Sequence, residues 1–294
     1  MTSIAKTSIN SGYLFACTAA LIWAGFIIVS RHGGVSGLTA YDVIAIRYLT
    51  CSAIVLPILL IWRPFNLFQR RLVVSSLVGG LAYAVFAFIG FSGAPASHAA
   101  VLLPGLMPAF IYLFSVLLKQ DRINRQKTLG ISVITIGITL LVIDLLMNGA
   151  KISMFHISLS LSAICWSIYS VLIRRWSISP WEATVSLAVW TLIFYLPVYI
   201  AFLPSNLTEV EWSIIATQSF YQGFVATIIQ MLCYVKAVQL IGASSMGSIM
   251  GFVPLVAGFA AIPIFDEKLT AGLALALVLV SSGVWLSNKS PKKR

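Results

Sequence analysis

Apolar residues fill this chain in stretches of about 20, separated by short polar or basic segments. A stretch of that length, coiled at about 1.5 Å per residue, spans the hydrocarbon core of a bilayer. Lipid offers no partner to backbone N–H and C=O groups, so a helix, which pairs them internally, is the expected form. The pattern predicts spans near residues 12–31, 43–62, 72–92, 98–118, 128–147, 155–173, 183–203, 213–235, 244–264 and 269–287. The segments between them are too short to hold a soluble domain. The predicted fold class is an all-α integral membrane protein with ten transmembrane helices. The first stretch follows Lys6 and ends at Arg31-His32 without a small-residue cleavage pattern, so it reads as a retained helix.

The pattern is written twice. Trp23 precedes Arg31 by eight residues, and Trp166 precedes Arg174 by the same interval. Asp121 precedes Gly137 by sixteen, and Glu267 precedes Gly283 by sixteen, with Pro108 and Pro254 at matching places. One position departs from the match: Gly130 has Ala276 as its counterpart. The expected division is residues 1–147 and 148–294, five spans each. Duplicated membrane units are the common construction of secondary transporters, whose solute site lies between the copies.

Basic residues set the expected orientation. With the N-terminus on the cytoplasmic side, that side receives Lys6, Arg63, Arg70, Arg71, Lys119, Arg122, Arg125, Lys127, Arg174, Arg175, Lys236, Lys289, Lys292, Lys293 and Arg294. The other side receives Arg31, Lys151 and Lys268, with Arg47 just inside a span. This is a strong positive-inside bias. Five spans per copy is an odd number, so the second copy must cross the membrane upside down relative to the first.

Composition removes several other classes. Only 9% of residues are charged and 60% are hydrophobic, against roughly 25% charged in soluble domains. The formal charge of +11 is spread between spans and forms no single patch, which argues against nucleic-acid binding. Cys17, Cys51, Cys165 and Cys233 lie inside apolar stretches without C-x-x-C spacing, so neither disulfides nor a metal site is expected. No phosphate-binding loop, H-E-x-x-H or G-x-S-x-G occurs. The expected partners are a small-molecule solute and the bilayer, with no cofactor and no enzymatic activity. The oligomeric state is open, and a monomer is compatible with the sequence.

Polar and aromatic residues inside the spans are the candidate chemistry, because burying a polar group without a partner is costly. Gln218, Gln222 and Gln230 share one face of the eighth span on α-helical spacing, flanked by Tyr221 and Tyr234. Such a stripe either bonds neighbouring helices or lines a cavity. Trp23, Tyr83, Trp166 and Tyr169 lie within spans instead of at the interfaces that aromatic belts prefer. They belong either to the packed core or to a cavity for an aromatic solute. His98 opens the fourth span and Ser244 with Ser245 the ninth. His98 reads as a carboxylate-binding or titrating group, or as an ordinary interfacial histidine. Arg47 and Asp144 lie near the outer ends of their spans, where they snorkel or pair with each other. No Asp or Glu lies near the centre of a span, which disfavours tight ion coupling through a carboxylate. Coupling through His98 or backbone carbonyls stays open. Prolines 104, 108 and 254 each free a carbonyl one turn earlier, and Gly247 and Gly251 form a close-packing step.

The doubled set of spans, the Trp-Ala and Trp-Ser starts, Pro108 and Pro254, and the acidic-to-Gly elements at 121–137 and 267–283 resemble the drug/metabolite transporter superfamily in its EamA-domain branch. The resemblance covers essentially the whole chain and extends to bacterial exporters of aromatic amino acids. It implies inverted repeats, both termini in the cytoplasm, and export from a bacterial inner membrane by alternating access. It also implies a central cavity lined by the first, third, fourth, sixth, eighth and ninth spans. In this sequence that selects Trp23, Tyr83, His98, Trp166, Tyr169, Tyr221, Gln222, Gln230, Ser244 and Ser245. A neutral or zwitterionic solute is expected. A nucleotide sugar would require several basic residues in the cavity, and a cationic drug a buried carboxylate; these, a purine and a channel-like pore are the alternatives.

Overall fold

The computed structural model describes residues 3–62, 65–149 and 151–288. Arg63, Lys289, Lys292, Lys293 and Arg294 lie outside the described residues, as do the side chains of Lys6 and Ser244. Among the described residues, ten helices are long and apolar enough to cross a membrane. They are α1 (Asn10–Val35), α2 (Ala40–Ile61), α3 (Arg70–Gly93), α4 (Ala96–Leu117) and α5 (Arg125–Met147), followed by α6 (Met154–Arg175), α7 (Pro180–Phe202), α8 (Trp212–Gly242), α9 (Ser245–Phe265) and α10 (Ala271–Asn288). No strand occurs among the described residues. Local signals start several of them. Asn124 accepts from the N–H groups of Gln126 and Lys127 at the head of α5, and Ser179 forms a reciprocal cap with Glu182 ahead of α7, where Pro180 takes the first turn.

The spans match the predicted stretches to within about four residues at each end, except at the end of α8. That helix runs past Lys236 to Gly242, where φ is +82°. A lysine does not end a membrane helix, because its long stem carries the charge to the interface. A glycine in the left-handed region does, because no Cβ opposes the bend.

The first helix of each half packs on the other half. α1 lies against α8: the Tyr221 hydroxyl donates to Ile22 O at 2.9 Å and Gln218 Nε2 to Val29 O at 2.9 Å. α6 lies against α3 in the corresponding way, with Ser158 Oγ donating to Phe86 O at 2.7 Å and Tyr169 stacked over the bare backbone of Gly79. The last helices of the two halves meet along their length. A Cβ at Gly137 would lie 3.2 Å from Ala276 O, and one at Gly283 would lie 2.7 Å from Gly130 O. These contacts are one contact repeated, since Gly137 corresponds to Gly283 and Gly130 to Ala276. The inverted repeat is therefore a pseudo-twofold that runs between α5 and α10. The place where the sequence repeat lapses, Gly130 against Ala276, lies in this seam.

Both halves also break α-helical geometry in the equivalent span. Residues 77–82 of α3 and 219–229 of α8 are wound as π-helix. Such stretches bond i to i+5 and concentrate at functional sites.

Candidate functional site: an aromatic cavity between the halves

A cavity of about 520 Å³ lies where the two halves meet, within the size range of small-molecule sites. Its deep end is walled by Trp23 and Phe26 of α1, Arg47 of α2, Tyr83 of α3, Met107 of α4 and Trp166 and Tyr169 of α6. Ala226, Gln230 and Tyr234 of α8, with Gly247 and Met250 of α9, form the opposite wall. Asp121, in the connection between α4 and α5, and Lys127, Ser287 and Asn288, at the ends of their spans, lie at its mouth. The cavity therefore opens toward the side that carries the end of α10.

The aromatic wall is built by contact. Tyr83 and Trp166 ring centroids lie 4.9 Å apart, and those of Trp166 and Tyr169 lie 5.1 Å apart. Tyr83 and Gln230 are the residues that follow the two π-helical stretches. The altered winding thus sets which side chain each third span turns into the cavity. In α4, Pro104 and Pro108 both line the wall. Pro108 has no N–H, so the carbonyl of Pro104 loses its helical donor beside the cavity.

Five of the ten residues selected from the sequence line this cavity: Trp23, Tyr83, Trp166, Tyr169 and Gln230. The others take different positions. Gln222 is fully buried behind the wall, where its Nε2 donates to Ser30 Oγ at 3.0 Å and its Oε1 accepts from Arg47 Nη1 at 3.4 Å. Gln218 is equally buried against α1. The expected common face of the three glutamines does not form, because π-winding between 219 and 229 changes the angle per residue. Tyr221 points at the α1 backbone. His98 pairs with His156, Nδ1 to Nε2 at 3.1 Å, and so lies at the closed end of the molecule. Ser245 is half-buried outside the wall.

Arg47 is the residue whose role the sequence reading misplaced. It neither snorkels nor pairs with Asp144. Asp144 accepts from Thr270 Oγ1 at 2.6 Å instead. Arg47 is 8% exposed and lines the cavity, its guanidinium among the rings of Phe26, Tyr48 and Phe88. The signal in the sequence is a basic residue placed within a predicted apolar stretch, 43–62, and not in a segment between stretches.

The end opposite the mouth is shut. Arg31 Nη1 donates to Phe91 O at 3.1 Å and Ser92 O at 2.8 Å. Glu267 accepts from the N–H groups of Ala96 at 2.6 Å and Ser97 at 2.9 Å, capping α4. Beneath these contacts, Phe26 meets Phe88 and Phe91 edge-on at 6.2 and 5.7 Å. At the mouth, the repeat equivalent of Glu267 is Asp121, which pairs instead with Lys127 at 3.1 Å and Arg174 at 3.3 Å. Partial burial alone would raise the Asp121 carboxyl, but hydrogen bonds and charge from Arg174 and Lys127 hold it below the usual carboxylate range.

Comparison with known proteins agrees with this architecture. The sequence profile of the EamA-like transporter family matches residues 10–143 and 154–289. An Escherichia coli (strain K12) protein named as a probable amino-acid metabolite efflux pump is 25% identical over 227 residues, 70% of this chain and 73% of its own length. A solved crystal structure superposes with a TM-score of 0.66 at 21% identity, covering 94% of this chain and 98% of that one. That likeness speaks to the fold.

Proposed function

Since this chain belongs to the EamA-like transporter family, and is thus a multi-pass membrane transporter of a small solute, we propose that it exports neutral or aromatic amino acids, or closely related metabolites, by alternating access. The carrying observation is a cavity between the halves, walled by Tyr83, Trp166 and Tyr169, that is open at one end and closed off at the other by Arg31 on Phe91 and Ser92. The relative named as an amino-acid metabolite efflux pump supports the choice of solute. The open end lies on the side assigned to the cytoplasm by the basic residues. The structure then corresponds to the state that loads solute from inside a bacterial cell.

The geometry supports the following steps. Solute enters past Asp121 and Lys127 and packs its side chain against the rings. Gln230 donates to or accepts from its polar groups, and the carbonyl freed by Pro108 accepts. Closure at the mouth and parting of Arg31 from Phe91 and Ser92 then exchange the open end, with the inverted halves rocking about their common seam. A cationic drug fits less well, because among the described residues Asp121 is the only carboxylate on the wall and already holds two cations. A pore is disfavoured by the closed outer end.

Saturable uptake of an aromatic or neutral amino acid into proteoliposomes is the expected result, accelerated by solute on the opposite side. Unsaturable conductance in a planar bilayer would instead indicate a pore. If Trp166→Ala and Gln230→Ala both left transport of every amino acid tested unchanged, the placement of the site would be wrong.

A further inference from the structure

The cavity wall carries one buried cation with no anion to match it. A guanidinium keeps its charge in a protein interior and presents its donors as a planar fork. Among the described residues Arg47 makes one side-chain hydrogen bond, the long contact to Gln222 at 3.4 Å, and its Nε has no partner. Its guanidinium also lies over ring faces, at 5.1 Å for Phe26, 5.7 Å for Tyr48 and 6.0 Å for Phe88. Among the described residues the ion pairs are Arg71–Glu182, Lys127–Asp121 and Arg174–Asp121, so no carboxylate reaches Arg47. A buried charge left this way is costly, and an arrangement that keeps it calls for an anion supplied from the cavity.

We infer that Arg47 receives a carboxylate of the solute, and that the ligand class is a monocarboxylate with a flat or apolar body whose amino group is dispensable. The inference rests on the carrier reading only in taking this cavity as the solute site. The single guanidinium matches one carboxylate through two parallel N–H···O bonds. Gln222, held by Ser30, is the positioning residue that aims it. The rings of Tyr83, Trp166 and Tyr169 take the apolar body. Nothing on the wall supplies a matching negative charge for an ammonium, since Asp121 is at the mouth and engaged. A dianion or a nucleoside diphosphate would leave charge unmatched, because among the described residues the deep end has no second cation.

The test uses the full-length protein in lipid nanodiscs and calorimetric titration with four probes that share an indole body: tryptophan, tryptophanamide, tryptamine and indole-3-propionate. Tryptophan and indole-3-propionate are expected to bind within a few-fold of each other. The amide and the amine should bind about 10- to 100-fold more weakly, the worth of a charge-assisted hydrogen bond. Arg47→Gln should bring both acids down to the level of the amide, and Arg47→Lys, which keeps the charge and loses the fork, should fall between. Equal binding of tryptophan and tryptophanamide by the unaltered protein overturns the inference, as does unchanged acid binding in Arg47→Gln. Failure of both acids to bind the folded protein also overturns it. If Arg47→Gln does not fold, the probe series on the unaltered protein decides alone. Tryptophan uptake into proteoliposomes separates this inference from the carrier reading. Uptake without discrimination among the probes leaves the carrier standing and removes the role of Arg47. Acid-selective binding with no uptake does the reverse.

Discussion

Trp166 touches Tyr83 on one side and Tyr169 on the other, so it holds the aromatic wall together. Trp166→Ala is expected to weaken solute binding about tenfold, in line with ~1.5 kcal/mol for an aromatic contact beyond its buried area; calorimetry on the purified variant reads this directly. Asp121 gives a pH signature. Its carboxyl is lowered in the folded state by Arg174 and Lys127 despite partial burial. Its contribution to stability is therefore present above the ordinary carboxylate range and is lost as pH falls through the lowered value. Melting temperatures of the unaltered protein and Asp121→Asn should differ near neutrality and converge in acid. The mid-span aromatics were legible in the sequence because they lie away from the interfaces where belts form. Arg47 was not, because sequence gives depth along a helix but not the direction in which a long side chain folds back.

At the scale of the element, the π-helical stretches decide what the third span of each half shows to the cavity. Tyr83 follows one and Gln230 the other. Inserting one alanine after Ile229, where the π stretch ends, is expected to turn Gln230 about 100° away. Circular dichroism should stay helical while solute affinity drops more than tenfold. Close backbone approaches are equally local: Gly25 lies under the Tyr221 ring and its hydroxyl. Gly25→Leu is expected to separate α1 from α8 and cost about 1–3 kcal/mol, measurable as a lowered midpoint of denaturation. Span existence was legible throughout, because hydropathy over about 20 residues is set by the bilayer. Winding within a span was not, since π and α geometry share one apolar pattern, and this misplaced Gln222 and Tyr221.

For the whole molecule, the repeat and the distribution of charge together predict inversion, and the seam of Gly137 on Ala276 and Gly283 on Gly130 carries it out. Which end stands open was not legible, because an inverted pair has two packings related by its own symmetry. The shut end is held by Glu267 on the head of α4 and by Arg31 on α3. Glu267→Gln should loosen it. A cysteine placed at Ser97, 1% exposed here, is expected to react with an impermeant thiol reagent in that background and not in its Glu267 parent. The unmatched charge of Arg47 bears on how fast the protein turns over. A cavity that closes around solute closes on a neutralised pair, whereas one that closes empty must strip water from a lone cation, at a penalty of several kcal/mol per ion. The return of the vacant protein should then be the slow half of the cycle. Preloaded vesicles should exchange labelled for unlabelled solute faster than they lose it to a bath containing none.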